Sequence, residues 1–376
     1  MLGRPIEGTR PDRFRPPHCP RKDCAAHLDG APFRWSRNGF YRRRCDPRRK
    51  IPRFHCKVCD RGFSRQSFAG TYYMKRPELL LPIAVGLVAG SAHRQLARSL
   101  GCAPSTVTRL SARIGRHALL LHALAYGKIP TIDEPVVLDH FETFVGSQQD
   151  RLGIATAVGQ SSWYVYAFEP APHRGPKRRS RRKRALKPAA PSAIPGSVVE
   201  SARKALQPLL ARAGGKLRLV SDDHPVYPLA VDPRVQHRVF PNPPRGPRAD
   251  AGIARERDRQ MFPVDLLHKL LRHSQAHHRR ETIAFGRRTN AVIERMALMA
   301  VWRNFVKGVS ERTNDPTTPA MRLGITERPY RWPELFARRL FPRRIGLPRH
   351  WWKIYRREWI TPRAGRNRRH DLLLAF

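Results

Sequence analysis

The stretch EPVVLDHFETFVG, residues 134–146, predicts a β-strand that carries an acid in its middle. Side chains alternate along a strand, so Asp139 shares one face with Val137, Phe141 and Thr143. Aspartate is disfavoured in strands, and burying its charge is costly unless a partner compensates it. Asp139 is therefore either a salt-bridged strand residue or a functional acid that the fold holds in an unfavourable place.

Strand and helix patterns alternate around this stretch, from about residue 128 to residue 310. Further strands are predicted at RLGIATAVG (151–159), SWYVYAFEP (162–170), KLRLVSDD (216–223) and RVQHRVF (234–240), and helices at VVESARKALQPLLARAGG (198–215) and NAVIERMALMAVWRNFVKGVSE (290–311). Residues 241–261 are predicted as a loop, and FPVDLLHKLLRHSQAHHRRET, residues 262–282, as a helix that begins just after Pro263. The order predicts a mixed α/β layer fold.

Two more acids lie where an active site could draw on them. Asp222 ends the predicted strand KLRLVSDD, and ligand sites in open α/β sheets gather at strand ends. Asp265 lies near the start of the predicted helix. Singly, Asp222 or Asp223 could cap a turn, and Asp265 could complement the helix dipole. These two acids and Asp139 could together hold two Mg²⁺ or Mn²⁺ ions about 4 Å apart. The two ions would bind a phosphodiester between them.

The N-terminal part carries a metal-binding pattern over residues 18–72. Two cysteine pairs, Cys19-x4-Cys24 and Cys56-x2-Cys59, could supply four thiolates to one tetrahedral zinc ion. His18, His27, Cys45 and His55 are possible substitutes or bystanders, and free buried thiols are the plainer alternative. The cations around the second pair favour a zinc ribbon that contacts DNA, through Arg53, Lys57, Arg61 and Arg65.

Residues 73–127 have the pattern of a helix, a glycine turn at Gly101 and a second helix. A helical hairpin used only for packing would have the same pattern. The basic outer face and the neighbouring ribbon favour a helix-turn-helix whose second helix enters the major groove. Its DNA contacts would come from Ser105, Thr106, Thr108, Arg109 and Arg113.

The charge balance points to a polyanionic partner. Lys plus Arg number 73 against 29 Asp plus Glu, and the formal net charge of +44 implies nucleic-acid binding that weakens with salt. No apolar run is long enough to span a bilayer, so we expect a soluble, cytoplasmic protein with no membrane partner. Three basic segments are expected to add little fixed structure: residues 1–17, an insertion at 170–196 and residues 311–376.

Five segments carry a resemblance to a known family: RFHCKVCDRGFS, RQLARSLGCAPSTV, LDHFETFVG, SDDHPVY and VDLLHKLLRHSQAHHRRETIAF. In this order they resemble a bacterial insertion-sequence transposase with a zinc ribbon, a helix-turn-helix and an RNase H-like catalytic domain, here residues 128–310. The resemblance implies catalytic acids Asp139, Asp222 and Asp265, making this a DDD member where the family commonly has a final Glu. It also implies double-stranded DNA as partner, both element ends and target, and a homo-oligomer.

Two other acids compete for the third catalytic place. Glu294 lies in the next predicted helix, whereas Glu281 lies too far along the helix of Asp265 to share a site with it. Lys269 and Arg272 follow Asp265 on one helical stripe, where DNA phosphates would run. The alternative function is a non-catalytic DNA-binding regulator or inactivated transposase. A zinc protease is not indicated, because the histidines of HSQAH lack the required glutamate.

Overall fold

A computed structural model describes residues 13–171, 197–242 and 251–358. The strands are β1 (Trp35–Arg43), β2 (Asp46–Cys56), β3 (Arg61–Ser64), β4 (Val136–Val145), β5 (Ser147–Gly159), β6 (Val165–Pro170), β7 (Arg218–Ser221) and β8 (Gln236–Val239). The helices are α1 (Leu80–Val88), α2 (His93–Ser99), α3 (Pro104–Tyr126), α4 (Val198–Arg212), α5 (Val226–Ala230), α6 (Ala251–Ser274), α7 (Thr289–Phe305), α8 (Pro319–Arg322), α9 (Trp332–Phe336) and α10 (Arg349–Tyr355). The predicted mixed α/β class is confirmed.

The smaller sheet is antiparallel in the order β1-β2-β3. Its strand β2 ends at Cys56, the first residue of the second cysteine pair. An aromatic cluster covers it, formed by Phe14, Phe54, Phe68 and Phe341. Phe14 is buried there, which contradicts the predicted mobility at this residue, and residues 1–12 of that segment lie outside the described residues. One isolated aromatic side chain has no periodic signal, yet its burial stabilises a small core.

The larger sheet has the order β6-β5-β4-β7-β8. Strands β4, β5 and β6 pair antiparallel, and β7 and β8 join the other side of β4 in parallel. All five predicted strands are confirmed, and β4, with Asp139, occupies the centre of the sheet. Helix α4 packs on β5 and β6, whereas α6 packs on β4 and β5. Residues 172–196 of the predicted basic insertion lie outside the described residues.

Helices α1, α2 and α3 contain the predicted helix–turn–helix pattern, with Gly101 in the turn at φ 56°. Their apolar faces join the same hydrophobic core as the larger sheet, because α3 lies along α7. The two helices approach so closely that a Cβ on Gly115 would overlap Glu294. The helices are therefore fixed in relation to the sheet.

Helix α6 differs from the prediction, because it is already helical at residue 251 and includes Pro263. Asp265 consequently lies inside the helix, and the explanation as a helix-start acid is wrong. Proline removes one helical hydrogen bond, which costs about 3 kcal/mol. Burial of Met261, Val264 and Leu267 on the same helix offsets that cost. Proline at 263 resembles a helix-start signal, but the helical spacing of the apolar residues continues through it and indicates a longer helix.

The C-terminal region is also more ordered than predicted. Between residues 311 and 358 it forms three short helices whose apolar side chains enter the main core, among them Phe336, Trp351 and Ile354. The main-chain N–H of Arg339 donates to the Phe68 carbonyl oxygen at 2.7 Å, which ties the region to the small sheet. Helices of four to seven residues show no period, so composition alone suggested a tail.

Within the described part of the chain, no helix is both long and apolar enough to cross a membrane.

Candidate metal centres and nucleic-acid surface

The four predicted cysteine ligands converge. Cys19 Sγ lies 3.8 Å from Cys59 Sγ, Cys24 Sγ lies 3.9 Å from Cys56 Sγ, and all four atoms lie within 4.8 Å of one another. Tetrahedral zinc with bonds of about 2.3 Å requires sulfur–sulfur separations of about 3.8 Å. The buried cluster could therefore hold a structural metal such as zinc.

Main-chain N–H groups support this cluster. Three sulfurs each accept a hydrogen bond from the residue two positions further on: Cys19 from Arg21, Cys24 from Ala26 and Cys56 from Val58. Burial acts to raise the pKa of Cys56, but the N–H groups of Cys59 and Val58 outweigh it and lower that pKa. Burial raises the pKa of Cys19 and Cys24. A dication is the natural partner for thiolates that are costly to bury alone.

The alternative ligands are bystanders. His18 and His27 each place Nδ1 within 2.9 Å of the Cys19 carbonyl oxygen, so they hydrogen-bond the main chain of the loop that carries Cys19. Cys45 is exposed in the turn between β1 and β2, and His55 Nε2 faces Asp60 at 3.4 Å. Between Cys19 and Cys24 the chain turns, with the Cys24 N–H donating to the Arg21 carbonyl oxygen at 3.2 Å.

The three predicted catalytic acids come from neighbouring elements: Asp139 from the central strand β4, Asp222 from the end of β7 beside it, and Asp265 from α6, which packs on both strands. The parallel register pairs Leu138 with Ser221, so Asp139 and Asp222 follow at neighbouring positions. Burial, then Asp222 and more weakly Asp265, raise the pKa of Asp139 to about 7. Each of the other two carboxylates therefore lies near enough to repel the charge of Asp139.

Asp139 is held by three surrounding groups. Its Oδ1 accepts hydrogen bonds from the main-chain N–H of His140 at 2.7 Å and from the Tyr227 hydroxyl at 3.1 Å. Its Oδ2 lies 3.5 Å from Nδ1 of His268. Burial, Asp139 and Asp222 raise the pKa of Tyr227, so its hydroxyl stays a donor. Burial lowers the pKa of His268 to about 3, so its ring is neutral at pH 7.

Asp222 and Asp265 are tied to each other through two side chains. The Asn242 amide donates to Asp222 Oδ2 at 3.0 Å and to Asp223 Oδ1 at 3.3 Å. Arg257 Nε donates to Asn242 Oδ1 at 3.1 Å, and Arg257 also forms an ion pair with Asp265. A continuous polar chain thus spans the gap between the two acids.

The two competitors for the third place have different surroundings. Glu294 is 1% exposed and accepts two hydrogen bonds from Arg357, at 2.8 and 2.7 Å, in the contact between α7 and α3. Glu281 is exposed and lies beyond α6, which ends at Ser274. The assumption that Glu281 continues the helix of Asp265 is wrong, because the chain turns at residues 275–278.

The predicted DNA contacts of the ribbon divide into two groups. Arg53, Lys57 and Arg61 are exposed on the small sheet. Arg65 is instead 5% exposed, with its guanidinium 5.6 Å from the centre of the Phe14 ring, so it supports the aromatic cluster. A larger basic surface, missed from the sequence, lies on the hairpin of β1 and β2 and includes Arg42, Arg44, Arg48, Arg49 and Lys50, all exposed. Its signal was the charge run RRRCDPRRK, residues 42–50.

The predicted recognition helix is partly available. Ser105, Thr108 and Arg109 are exposed near the start of α3, and Thr106 is half-buried. Arg113 is not available, because its guanidinium donates to the carbonyl oxygens of Gly70 and Tyr72 at 2.9 and 2.7 Å. Its role is to tie α3 to the segment that follows the small sheet.

The predicted cationic stripe on α6 is shorter than expected. Lys269 is exposed, whereas Arg272 donates to the carbonyl oxygens of His278 and Glu142, each at 2.8 Å. His277 lies in the 3₁₀ turn Ala276–His278 and is buried. Helix α6 ends before His277 can complete the i, i+4 spacing.

Four residues near the acids were missed from the sequence: Tyr227, Asn242, Arg257 and His268. A signal existed for two of them, because Tyr227 closes the segment SDDHPVY and His268 follows Asp265 by one helical turn. Asn242 and Arg257 have no local signal, since only the folded chain brings them together.

No family model matches the chain, and no curated protein matches it. A functional assignment therefore depends on the two candidate metal centres, the basic surfaces and the resemblance carried by the five segments quoted above.

Proposed function

We propose that the chain is a DNA transposase that binds the ends of an insertion sequence and catalyses phosphodiester hydrolysis and strand transfer. The observation that carries the proposal is the placement of Asp139 on the central strand, with Asp222 at the neighbouring parallel position and Asp265 on the helix packed across that strand, in a chain of net charge +44. Partly buried carboxylates that approach one another repel, so their gathering is typical of a functional site. Bound cations would relieve that repulsion.

The larger sheet supports an RNase H-like catalytic domain, as the resemblance implies. Three antiparallel strands are followed by two parallel ones, and Asp139 lies on the central strand. Asp222 follows the strand beside it, and Asp265 comes from a helix packed across β4 and β5. Acids from two strands and one helix can therefore serve one site without distorting the sheet.

The donor set fits hard divalent cations, because carboxylate oxygens are the ligands that Mg²⁺ and Mn²⁺ prefer. Two such ions, when bound, would activate a water and then a 3′-hydroxyl for in-line attack on phosphorus. Asp139, Asp222 and Asp265 would hold them. Tyr227 and the His140 N–H fix the Asp139 carboxylate, and Asn242 orients Asp222. Lys269, exposed one turn beyond Asp265, would contact a phosphate.

The DNA-binding part of the proposal draws on the basic hairpin, the exposed ribbon cations and the start of α3. These surfaces would supply phosphate contacts and groove contacts with the element ends. The cysteine cluster, holding one zinc ion, would keep the ribbon folded. Because transposition joins two ends to a target, we propose a homo-oligomer, a dimer or larger.

The direct test is Asp139→Asn. The substrate would be a supercoiled plasmid carrying the coding sequence with its flanking DNA, incubated with Mg²⁺ or Mn²⁺. The variant should lose cleavage and strand transfer by at least about 10³-fold, because a lost metal ligand removes several kcal/mol of transition-state stabilisation. Binding of the flanking DNA, measured by gel shift, should stay within about twofold of the wild type.

Asp133→Asn is the matched control, since Asp133 is an exposed acid just before the same strand. It should cleave like the wild type. Cleavage by the Asp139 variant would refute the assignment of the catalytic acids. A wild-type chain that binds the flanks but never cuts them would instead be the non-catalytic regulator.

A further inference from the structure

A groove of about 450 Å³ lies beside the predicted recognition helix, and the proposed reaction does not use it. One wall is α3, and the other is formed by residues 70–73 together with Phe336, Arg339 and Leu340 of the C-terminal region. This volume falls within the range of about 300–1,000 Å³ that is typical of ligand sites.

The walls of the groove are fixed against each other by main-chain contacts. Gly70 approaches the C-terminal region so closely that a Cβ there would overlap the Phe336 carbonyl oxygen. Arg113 of α3 donates to the carbonyl oxygens of Gly70 and Tyr72 at 2.9 and 2.7 Å. The groove is therefore formed before a ligand enters, so little conformational freedom would be lost on binding.

Aromatic rings line the groove, and the ring of Tyr73 is turned to solvent. Tyr73 is 90% exposed and has a φ of 60°. A bulky side chain seldom adopts a positive φ, and residues held in such conformations cluster at functional sites. The neighbouring ring of Tyr72 is already covered by the guanidinium of Arg339, 4.5 Å from the ring centre. Tyr73 is therefore the ring on which a flat ligand could stack.

The groove is also cationic. Arg109, Arg113 and Arg116 are spaced at i, i+4 and i+7 on α3, so they lie on one face of that helix. Arg109 is exposed and Arg116 partly exposed, and they stand about 10 Å apart along the helix axis. None of the described residues that line the groove is acidic. The cationic face thus runs from the start of the recognition helix into the groove.

We propose that this groove binds an unpaired segment of single-stranded DNA, with one base stacked on Tyr73 and the adjoining phosphates on Arg116 and Arg109. An aromatic ring in a cationic groove binds single strands with little regard to sequence, because every base has a flat face. A duplex keeps its bases stacked inside the helix, so it cannot place one on Tyr73 without opening. The inference rests on the DNA-binding part of the proposed function and does not involve the catalytic acids.

The test uses the full-length chain and a fluorescent oligothymidine of about 20 nucleotides, longer than the sites of about 4–16 nucleotides that single-strand binding modules cover. Fluorescence anisotropy measures its affinity beside that of the duplex flanking DNA. Tyr73→Ala should weaken binding of the single strand at least about fivefold, the loss of one stacked base, and change the duplex affinity less than about twofold. Tyr73→Phe keeps the ring and should bind both DNAs like the wild type.

Arg116→Gln tests the phosphate contact. It should weaken single-strand binding and reduce the slope of log Kd against log salt concentration by about 0.7, the value for one phosphate of a single strand. Phe40→Ala is the matched control, because it removes a half-exposed aromatic ring on β1, outside the groove. This control should keep the single-strand affinity of the wild type.

Photochemical cross-linking of the wild type locates the base without any variant. A single strand that carries 5-iodouracil should attach to Tyr73 under ultraviolet light, and mass spectrometry of the peptides identifies the attached residue. Attachment only outside the groove, or single-strand affinity unchanged in Tyr73→Ala, overturns the inference. So does a chain that binds the duplex flanks but no single strand, while the proposed function stands. A chain that binds neither form of DNA overturns both proposals.

Discussion

The two candidate metal centres are built in opposite ways. The cysteine cluster takes its ligands from two short segments, and its Sγ atoms already stand 3.8 and 3.9 Å apart in pairs. The carboxylate site gathers Asp139, Asp222 and Asp265 from separate elements. Donors from other side chains and the main chain hold each of these acids. Across the described ranges, only the four cysteines bring three or more ligand atoms within 4.8 Å of one another.

On the proposed function, this difference would separate a metal that maintains the fold from metals that take part in a reaction. Main-chain N–H groups within the cysteine segments support the thiolates, so that site forms when its own loops form. The carboxylates depend on long-range pairing, because Asn242 and Arg257 must reach Asp222 and Asp265. The proposed catalytic ions would bind and leave with the substrate. When no ion is bound, Asn242 and Arg257 still contact the carboxylates.

The largest expected effect comes from removing two sulfurs. The double variant Cys56→Ser, Cys59→Ser should bind no zinc, where the wild type binds about one ion per chain. Structural zinc contributes about 10–16 kcal/mol of binding free energy, so the small sheet should unfold with its loss. Metal analysis measures the stoichiometry, and near-ultraviolet circular dichroism reports the packing of the aromatic cluster.

Cys45→Ser provides the control, since Cys45 is exposed between β1 and β2 and lies outside the cluster. It should keep the zinc and the dichroism of the wild type. Zinc retained by the double variant, or absent from the wild type, would contradict the cluster assignment.

The same contrast explains what the sequence could predict. Cysteine spacing identified the four thiol ligands, because each pair lies within a few residues of chain. An acid inside an apolar strand pattern is unusual, which made Asp139 a candidate, and the structure does place it on a strand. The strands of the larger sheet followed from their alternation. Helix α7 followed from its apolar spacing.

The remaining features depend on contacts that no local pattern contains. The ion pair of Arg357 with Glu294 joins residues far apart in the sequence, and so does the hydrogen bond of Arg257 with Asn242. Proline at 263 misled the prediction of α6, because tertiary packing outweighed its helix-breaking tendency. Arg65 and Arg113 were predicted as DNA contacts. In the structure Arg65 is buried, and Arg113 donates to a main-chain carbonyl oxygen.

An intermediate effect should show that Glu294 is a structural acid. Arg357→Ala leaves its carboxylate buried without its partner, which should lower the free energy of unfolding by about 3 kcal/mol at pH 7.5. Burial already raises the pKa of Glu294, and losing Arg357 raises it further. Because this raised pKa lets the folded variant take up a proton more readily than the unfolded chain, the deficit should shrink as the pH falls and grow as the pH rises.

Urea denaturation at pH 5 and pH 7.5 measures this difference. The neighbouring Arg356→Ala is the matched control, because Arg356 is exposed and meets Glu358 only at 3.7 Å, so the change should stay within about 1 kcal/mol. Loss of cleavage in Glu294→Gln protein that is fully folded would return Glu294 to the catalytic set.

The smallest expected effect tests whether the carboxylate site depends on its supporting donors. Tyr227→Phe removes the hydroxyl that donates to Asp139 Oδ1 but keeps the buried ring. Outer hydrogen bonds of this kind contribute about 10–100-fold to metal affinity or activity, so Mn²⁺ binding and DNA cleavage should both fall by that amount. Tyr126→Phe is the control, because its hydroxyl bond to the Pro208 carbonyl oxygen lies away from the acids. If both variants lose a little stability and neither loses metal affinity, the hydroxyl of Tyr227 only fills the core. A loss of metal affinity in Tyr227→Phe alone would show that the carboxylate site, unlike the cysteine cluster, depends on a hydrogen-bond donor from another element of the fold, α5.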